Sequence, residues 1–380
     1  PAWSGIGMRR REFLAGAIAT ALALRANRAR ANATVRVLVP DPDNLQYMSF
    51  WLAKALFFQG AGIDAEIVSP PIPQQALAWI EDKKPDAAVL PPPMYLELVA
   101  NRAPWVLGAN LLANDPIDLV VRRSVADARG ITRELPIRER LEKLRGVKIG
   151  IAPHPPPRLR ELYKAVGLDA AKDATLVTIH GKAQNDAFQR GDVDALYAHT
   201  PYLEKALVHQ DAVLVVYQNG GEVKELANRQ IHALTFSRTF LNAHHEDAQA
   251  MVSAVARAET ILRTTPGDAV APLQKAFPER DPAEIDSIVH LYSPAIPATP
   301  KVSTDGFAPA VLFFPEGEQA PNLDGIDLAS FVAPELSQEK PADGSPKIAY
   351  AGGAVALVAL AALALKLRSG RPRDPSEAQK

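Results

Sequence analysis

Between Leu144 and Tyr202 the chain switches repeatedly between strand-like and helix-like patterning, with connections short enough to demand a layered α/β unit. Leu144-Arg145-Gly146-Val147-Lys148-Ile149-Gly150-Ile151-Ala152 alternates as a buried strand does. The turn His154-Pro155-Pro156-Pro157-Arg158 follows, and the pattern then predicts a helix from Leu159 to Val166, closed by Gly167. A strand at 174–179, a helix from about Lys182, and a strand running out of Gly191-Asp192-Val193-Asp194-Ala195 complete the unit. This order predicts a parallel sheet, and open parallel sheets hold ligands beyond the carboxyl ends of their strands. Those ends carry His154, His180 and the pair His199-Thr200.

The first part of the chain repeats the alternation. Thr34–Val39 reads as a strand broken by Pro40-Asp41-Pro42, and a helix with Tyr47, Phe50, Trp51 and Leu52 on its buried side ends at Gly60-Ala61-Gly62. Strands follow at Ile63–Val68, Asp86–Leu90, Trp105–Leu111 and Leu119–Arg122, with Pro91-Pro92-Pro93 stopping the second of them. Two similar units joined by extended segments predict two lobes with a cleft between them. A chain of 380 residues, 47% apolar and 22% charged, is long enough for both cores.

Several stretches resemble the nitrate, sulfonate and thiamine-precursor family of solute-binding proteins, the receptors of ATP-binding-cassette importers. They are Phe50-Trp51-Leu52-Ala53-Lys54 leading to Gly62-Ile63-Asp64-Ala65-Glu66, Asp86-Ala87-Ala88 with Pro92, Leu144-Arg145-Gly146-Val147-Lys148-Ile149-Gly150, and Gly191-Asp192-Val193-Asp194-Ala195. The matches run in order over roughly 34–310. The resemblance implies a two-lobed type II periplasmic-binding fold that closes on a small molecule and delivers it to a membrane permease. We place its two hinge crossings near Leu119–Arg122 and Asn228–Thr235, giving a first lobe over 34–120, a second over 121–230, and a return over 231–315. The segment 316–347, rich in Pro, Asp, Glu and Gly, reads as a linker.

The family often holds an anionic head group on free backbone amides after the second lobe's first strand. Here Pro155, Pro156 and Pro157 have no N–H to give, so side chains must supply the polarity. The candidate ligand contacts are His154, Arg158, His199, Thr200 and Tyr202 from the second lobe. From the first come Asn44, Gln46, Tyr47, Trp51, Pro92, Met94 and Asn114. Arg158 reads equally as a solvated helix residue, His199 as a structural histidine, and Trp51 as core rather than a stacking platform. Such a set, with few fixed charges, suits a neutral or weakly charged planar organic molecule.

The absence of cysteine excludes disulfides, thiolate metal sites and cysteine nucleophiles, and no nucleotide-binding or hydrolase motif occurs. No catalytic residue, metal or cofactor is expected. An enzyme on the same fold is the weaker reading, and a sensor or assembly module acting on a membrane partner stands between the two. Basic ends flank an acidic body, which argues against nucleic acid. Arg10-Arg11-Glu12-Phe13-Leu14, the apolar run Ala15–Leu24 and Ala31-Asn32-Ala33 together resemble a twin-arginine export signal over 1–33. At the other end, Ile348–Leu365 carries no charge and as a helix would span roughly 27 Å. It reads as a transmembrane helix over 348–367. Lys366, Arg368, Arg371 and Arg373 follow the apolar run and place the tail, 368–380, in the cytoplasm, which leaves the body outside the membrane.

Overall fold

The computed structural model describes residues 33–153, 155–314 and 318–337, which form two α/β lobes. Ten strands make two five-stranded sheets: β1 (Ala33–Leu38), β2 (Ile63–Val68), β3 (Ala87–Leu90), β4 (Trp105–Asn110), β5 (Asp118–Arg122), β6 (Lys148–Ile151), β7 (Thr175–Thr178), β8 (Ala195–Ala198), β9 (Ala212–Val216) and β10 (Ala233–Ser237). The first sheet has the order β2-β1-β3-β10-β4 and the second β7-β6-β8-β5-β9.

The parallel pairing expected from 144–202 is present, since β6 lies between β7 and β8 and runs with both. Each sheet is mixed, however. β5 is antiparallel to β8 and β9, and β10 is antiparallel to β3 and β4. Both exceptions have one cause. These are the strands by which the chain enters one lobe from the other, so they start at the end where their neighbours finish. Each also carries a register shift, between Leu119 and Val120 in β5 and between Leu234 and Thr235 in β10.

This moves the first crossing from where the sequence placed it and lengthens the second, which overlaps the expected segment at 228–232. Leu119–Arg122 lies wholly inside β5 of the second sheet, so the chain crosses earlier, over 111–117. The return crosses over 217–232, and from Ala233 the chain is already in β10 of the first sheet. An apolar run such as Leu119-Val120-Val121 announces a buried strand but not the sheet that will take it. The two crossings are knotted together by side chains. Asn114 donates through Nδ2 to Asn219 O (2.8 Å) and Pro294 O (3.4 Å) and accepts through Oδ1 from Asn228 N (3.0 Å). The Asp118 carboxylate accepts from Asn219 N and Nδ2, and the Tyr292 hydroxyl accepts from Thr200 N while donating to Pro116 O.

Local signals hold where backbone chemistry fixes them. The helix Pro156–Ala165 ends at Val166, and Gly167 follows at φ +74°, the left-handed position expected of it. The long helix His245–Thr264 buries Ala248, Met251, Val252 and Val255 in the first-lobe core, as its periodicity predicts.

The segment read as a linker is different. Through Ser337 it wraps the first lobe: Val332 pairs with Leu107, Ala333 N donates to Leu107 O (2.9 Å), and Phe331, Ala333 and Leu336 are buried. Gly108 makes room for it, because a Cβ there would meet the Phe236 ring at 2.5 Å and Leu336 at 3.1 Å. The sequence hid this contact because Leu323, Ile326, Leu328, Phe331 and Leu336 follow no helix or strand period, yet each reaches an apolar surface. Among the described residues no helix is long and apolar enough to cross a membrane. The apolar run 348–365, the tail after it and the leader up to residue 32 lie outside them, whereas Ala33 already belongs to β1.

Both the wrap and the buried junction can be tested by unfolding. Leu336→Ala should cost ~2–5 kcal/mol in urea unfolding, as buried leucines do, and a change below about 0.5 kcal/mol would place the segment off the lobe. Glu204, fully buried beside the Thr200–Tyr292 contact, has neither carboxyl oxygen in a well-formed hydrogen bond, and burial pushes it up to about 8. A carboxyl raised on folding stabilises most below its unfolded value, and that contribution is lost as pH rises through about 8. Glu204→Gln should therefore gain on the wild type in Tm by on the order of 5 °C between about pH 5 and about pH 8.5. A Tm difference constant across that range would refute the buried acid.

Candidate functional site

Where the carboxyl ends of the strands meet the crossings, a cleft of about 500 Å³ opens. The first lobe supplies most of its wall, through Asn44, Gln46 and Tyr47 after β1, Pro73, Gln74 and Leu77 after β2, and Pro91 to Met94 with Glu97 after β3. Pro116 and His232 come from the crossings, Arg158 and His199 from the second lobe. Phe313 comes from the first-lobe core just ahead of the C-terminal wrap, and Glu318 from the wrap itself.

Proline shapes this cleft more than the sequence reading allowed. The helix Pro156–Ala165 starts with prolines at its N-cap and first two positions, and so does the helix Pro92–Ala100 on the facing lobe. The first N–H groups after them, on Met94 and Arg158, are spent on Pro91 O and Pro155 O. Pro40, Pro73 and Pro116 add to the effect, so that six of the nineteen lining residues offer no main-chain donor. A helix N-terminus normally welcomes an anion through just those groups. Neither helix start can do so here.

Side chains therefore carry the polarity. Arg158, in the first turn of its helix, reaches the crossing at Asp115, with Nη1 3.2 Å from Oδ1, and its guanidinium lies 4.7 Å from the Phe313 ring centre. It thus touches a crossing and the first-lobe core at once, and its Nε is buried without a partner. Burial raises the Asp115 carboxyl, and Arg158 and the Ile117 N–H oppose the rise. His199 Nδ1 is 2.6 Å from its neighbour's carbonyl, Thr200 O. His232 Nε2 is 2.7 Å from Gln46 Oε1, and its ring stands edge-on to Tyr47 at 5.0 Å. Burial first, then the Arg158 charge, drives the His232 imidazole down to about 3. Burial likewise lowers His199 to about 4, the Thr200 carbonyl opposing and Arg158 reinforcing the fall. Both rings are neutral at ordinary pH. Burial raises the Asp41 carboxyl at the cleft edge.

Seven of the residues singled out in the sequence come together on this lining: Asn44, Gln46, Tyr47, Pro92, Met94, Arg158 and His199. Asn44 is partly committed, because its Oδ1 caps the turn Leu45–Tyr47 through Gln46 N. Four others lie elsewhere. Trp51 packs edge-on against Phe50 and Phe277 in the core. Asn114 ties the crossings, Thr200 is buried and bonded to Tyr292, and the Tyr202 ring lies 5.7 Å from that of His199 without joining the lining. His180 is not on the lining, and His154 lies outside the described residues. Sequence reasoning missed His232, although a lone imidazole two residues after Gln230 and just ahead of an apolar strand is a signal of a polar residue at a strand end. It missed Phe313 and Glu318 because they arrive where the compact body gives way to the segment read as linker. Among the described residues no cluster of His, Asp and Glu is arranged to hold a metal ion.

Among curated protein sequences no relative matches this chain. Solved structures do. A protein from Bordetella bronchiseptica matches with a TM-score of 0.57 at 20% identity, over 81% of this chain and 96% of its own. The alkanesulfonate-binding protein SsuA from Xanthomonas axonopodis, bound to MOPS, matches with 0.52 at 16%, over 79% and 98%. A variant of DszB in complex with biphenyl-2-sulfinic acid matches with 0.52 at 16%, over 80% and 97%. At such identities the likeness establishes the two-lobed periplasmic-binding fold. The sequence itself, matched over residues 43–271 and so over more than half its length, makes the chain a member of the NMT1-like family.

Proposed function

We propose that this protein is an extracytoplasmic solute-binding protein of an importer, closing its two lobes on a small organic molecule of low charge and handing it to a membrane permease. The observation that carries the reading is the cleft itself, walled by both lobes and by both crossings. A ligand held there favours the closed arrangement only through contacts to both sides, and Arg158 facing His232 and Gln46 gives such contacts. Histidines held neutral, and an arginine already paired with Asp115, favour an uncharged guest. His154, at the turn after β6, belongs to the same proposed site.

SsuA, of the same fold, is an alkanesulfonate-binding protein, whereas DszB is seen with a sulfinic acid in its structure. Binding without turnover is the reading for this chain, which lacks cysteine and any recognisable hydrolase motif. The twin-arginine pattern at Arg10-Arg11 supports export in the folded state, and the uncharged run Ile348–Leu365 supports a single-span tether that keeps the receptor beside its permease.

A thermal-shift screen of vitamins, pyrimidines, sulfonates and aromatic acids should yield a stabilising compound, recovered chemically unchanged and accompanied by a fall in radius of gyration in small-angle scattering. Arg158→Met should weaken that compound at least tenfold, a buried charge-assisted contact being lost on ligand and crossing alike. Conversion of the compound would replace the receptor with an enzyme, and tight binding with no compaction would remove the clamp.

A further inference from the structure

We propose that the cleft reads its ligand through two imidazoles acting as hydrogen-bond acceptors, His199 and His232, with Arg158 as the donor, so that it takes a neutral carbonyl compound bearing two N–H groups, such as a cyclic ureide, rather than an oxyanion. The inference deepens the receptor reading and rests on it.

The tautomers follow from the partners. A carbonyl oxygen can only accept, so His199 Nδ1, 2.6 Å from Thr200 O, must carry the ring proton. That leaves Nε2 as a lone pair on a ring that lines the cleft. At His232 the amide oxygen of Gln46 sits 2.7 Å from Nε2, which therefore carries the proton, and Nδ1 is left as the acceptor. That Nδ1 is buried and has no partner in the protein. The two rings reach the lining from different elements, His199 from the end of a second-lobe strand and His232 from the return crossing. Both rings feel the Arg158 charge, and His232 feels His199, so the three groups share one neighbourhood.

Arg158 completes the pattern. Its Nη1 is held by Asp115, while its buried Nε has no acceptor. A guest that offers two donors and a carbonyl oxygen meets all three groups. A sulfonate or nitrate offers only acceptors, which face two imidazole lone pairs. Its negative charge would find one guanidinium already shared with Asp115 and, because of the proline lining, no donors from the two helix starts to replace its water. A buried polar group left unmet typically lowers affinity by roughly ten- to a hundredfold.

The test uses the purified full chain, with calorimetric titration of uracil and hydantoin, their N,N′-dimethyl derivatives, and ethanesulfonate. At least one ureide should bind, its dimethyl derivative should bind at least tenfold more weakly, and ethanesulfonate should not bind. His199→Phe and His232→Phe should each lose tenfold or more. His199→Gln and His232→Asn, whose amide oxygens stand in for the missing lone pairs, should recover most of it. Two-bond proton–nitrogen NMR of the unliganded wild type supplies a readout that needs neither variant nor ligand. It should show His199 protonated at Nδ1 and His232 at Nε2. The opposite tautomer at either ring, ureides that fail to bind, or Phe variants that bind as well as the wild type would overturn the proposal. Ethanesulfonate binding with lobe closure would overturn this ligand class yet leave the receptor standing, whereas chemical conversion of a bound probe would overturn the receptor reading itself.

Discussion

Two helices point their amino ends at the cleft, and both begin with proline at the N-cap and the next two positions. This covalent fact governs the chemistry of the site. The start of a helix ordinarily presents unpaired N–H groups and a partial positive charge, which together make an anion cradle without the help of any side chain. Proline removes the donors while keeping a helix-compatible φ, so the helices form normally and the cradle does not. In the proposed receptor, recognition falls to Arg158, His199, His232 and Gln46, whose side chains are held by fixed neighbours: Asp115, Thr200 O, the Tyr47 ring and one another.

Two of those neighbours, Asp115 and Thr200, lie at the knot of side chains around the crossings. Asn114, Asp118 and Asn219 join two crossings that are about a hundred residues apart in sequence, and Tyr292 ties the first of them to Thr200 of the second lobe, largely through buried hydrogen bonds to main-chain atoms. Buried polar groups of this kind cost stability unless fully paired. Their value here is geometric, because they fix where each lobe starts relative to the cleft floor. Glu204 sits against this knot as a carboxyl kept protonated by burial, a neutral filler where a charge would force the junction apart.

The legible part of this fold was the part written in local chemistry. Alternating runs announced the strands, Gly167 marked a helix end, and the three prolines after β6 lie at a helix start as their pattern suggests. The illegible part was long-range. Leu119, Val120 and Val121 form a strand whose sheet is chosen by partners about eighty and about a hundred residues further on, and no pattern within the run names them. Trp51 looked as apt for stacking as for packing, and only the position of Phe277 decides the matter. His232 went unread because its meaning depends on Gln46, far away in sequence but 2.7 Å away in space. The wrap over 318–337 went unread because single apolar residues at irregular intervals carry no period, although a lobe with matching hollows, such as the one left by Gly108, gathers them one by one.

That wrap has a mechanical meaning. The last described residues, Pro334–Ser337, are fastened to the first lobe through Ala333 and Leu336, and among the described residues none of the wrap's backbone hydrogen bonds reaches the second lobe's sheet. Any load applied through the chain beyond Ser337 is therefore borne by one half of the molecule. In the proposed closure the other half would be the free jaw, with the contact of Arg158 on Phe313 as the point where the two lobes meet.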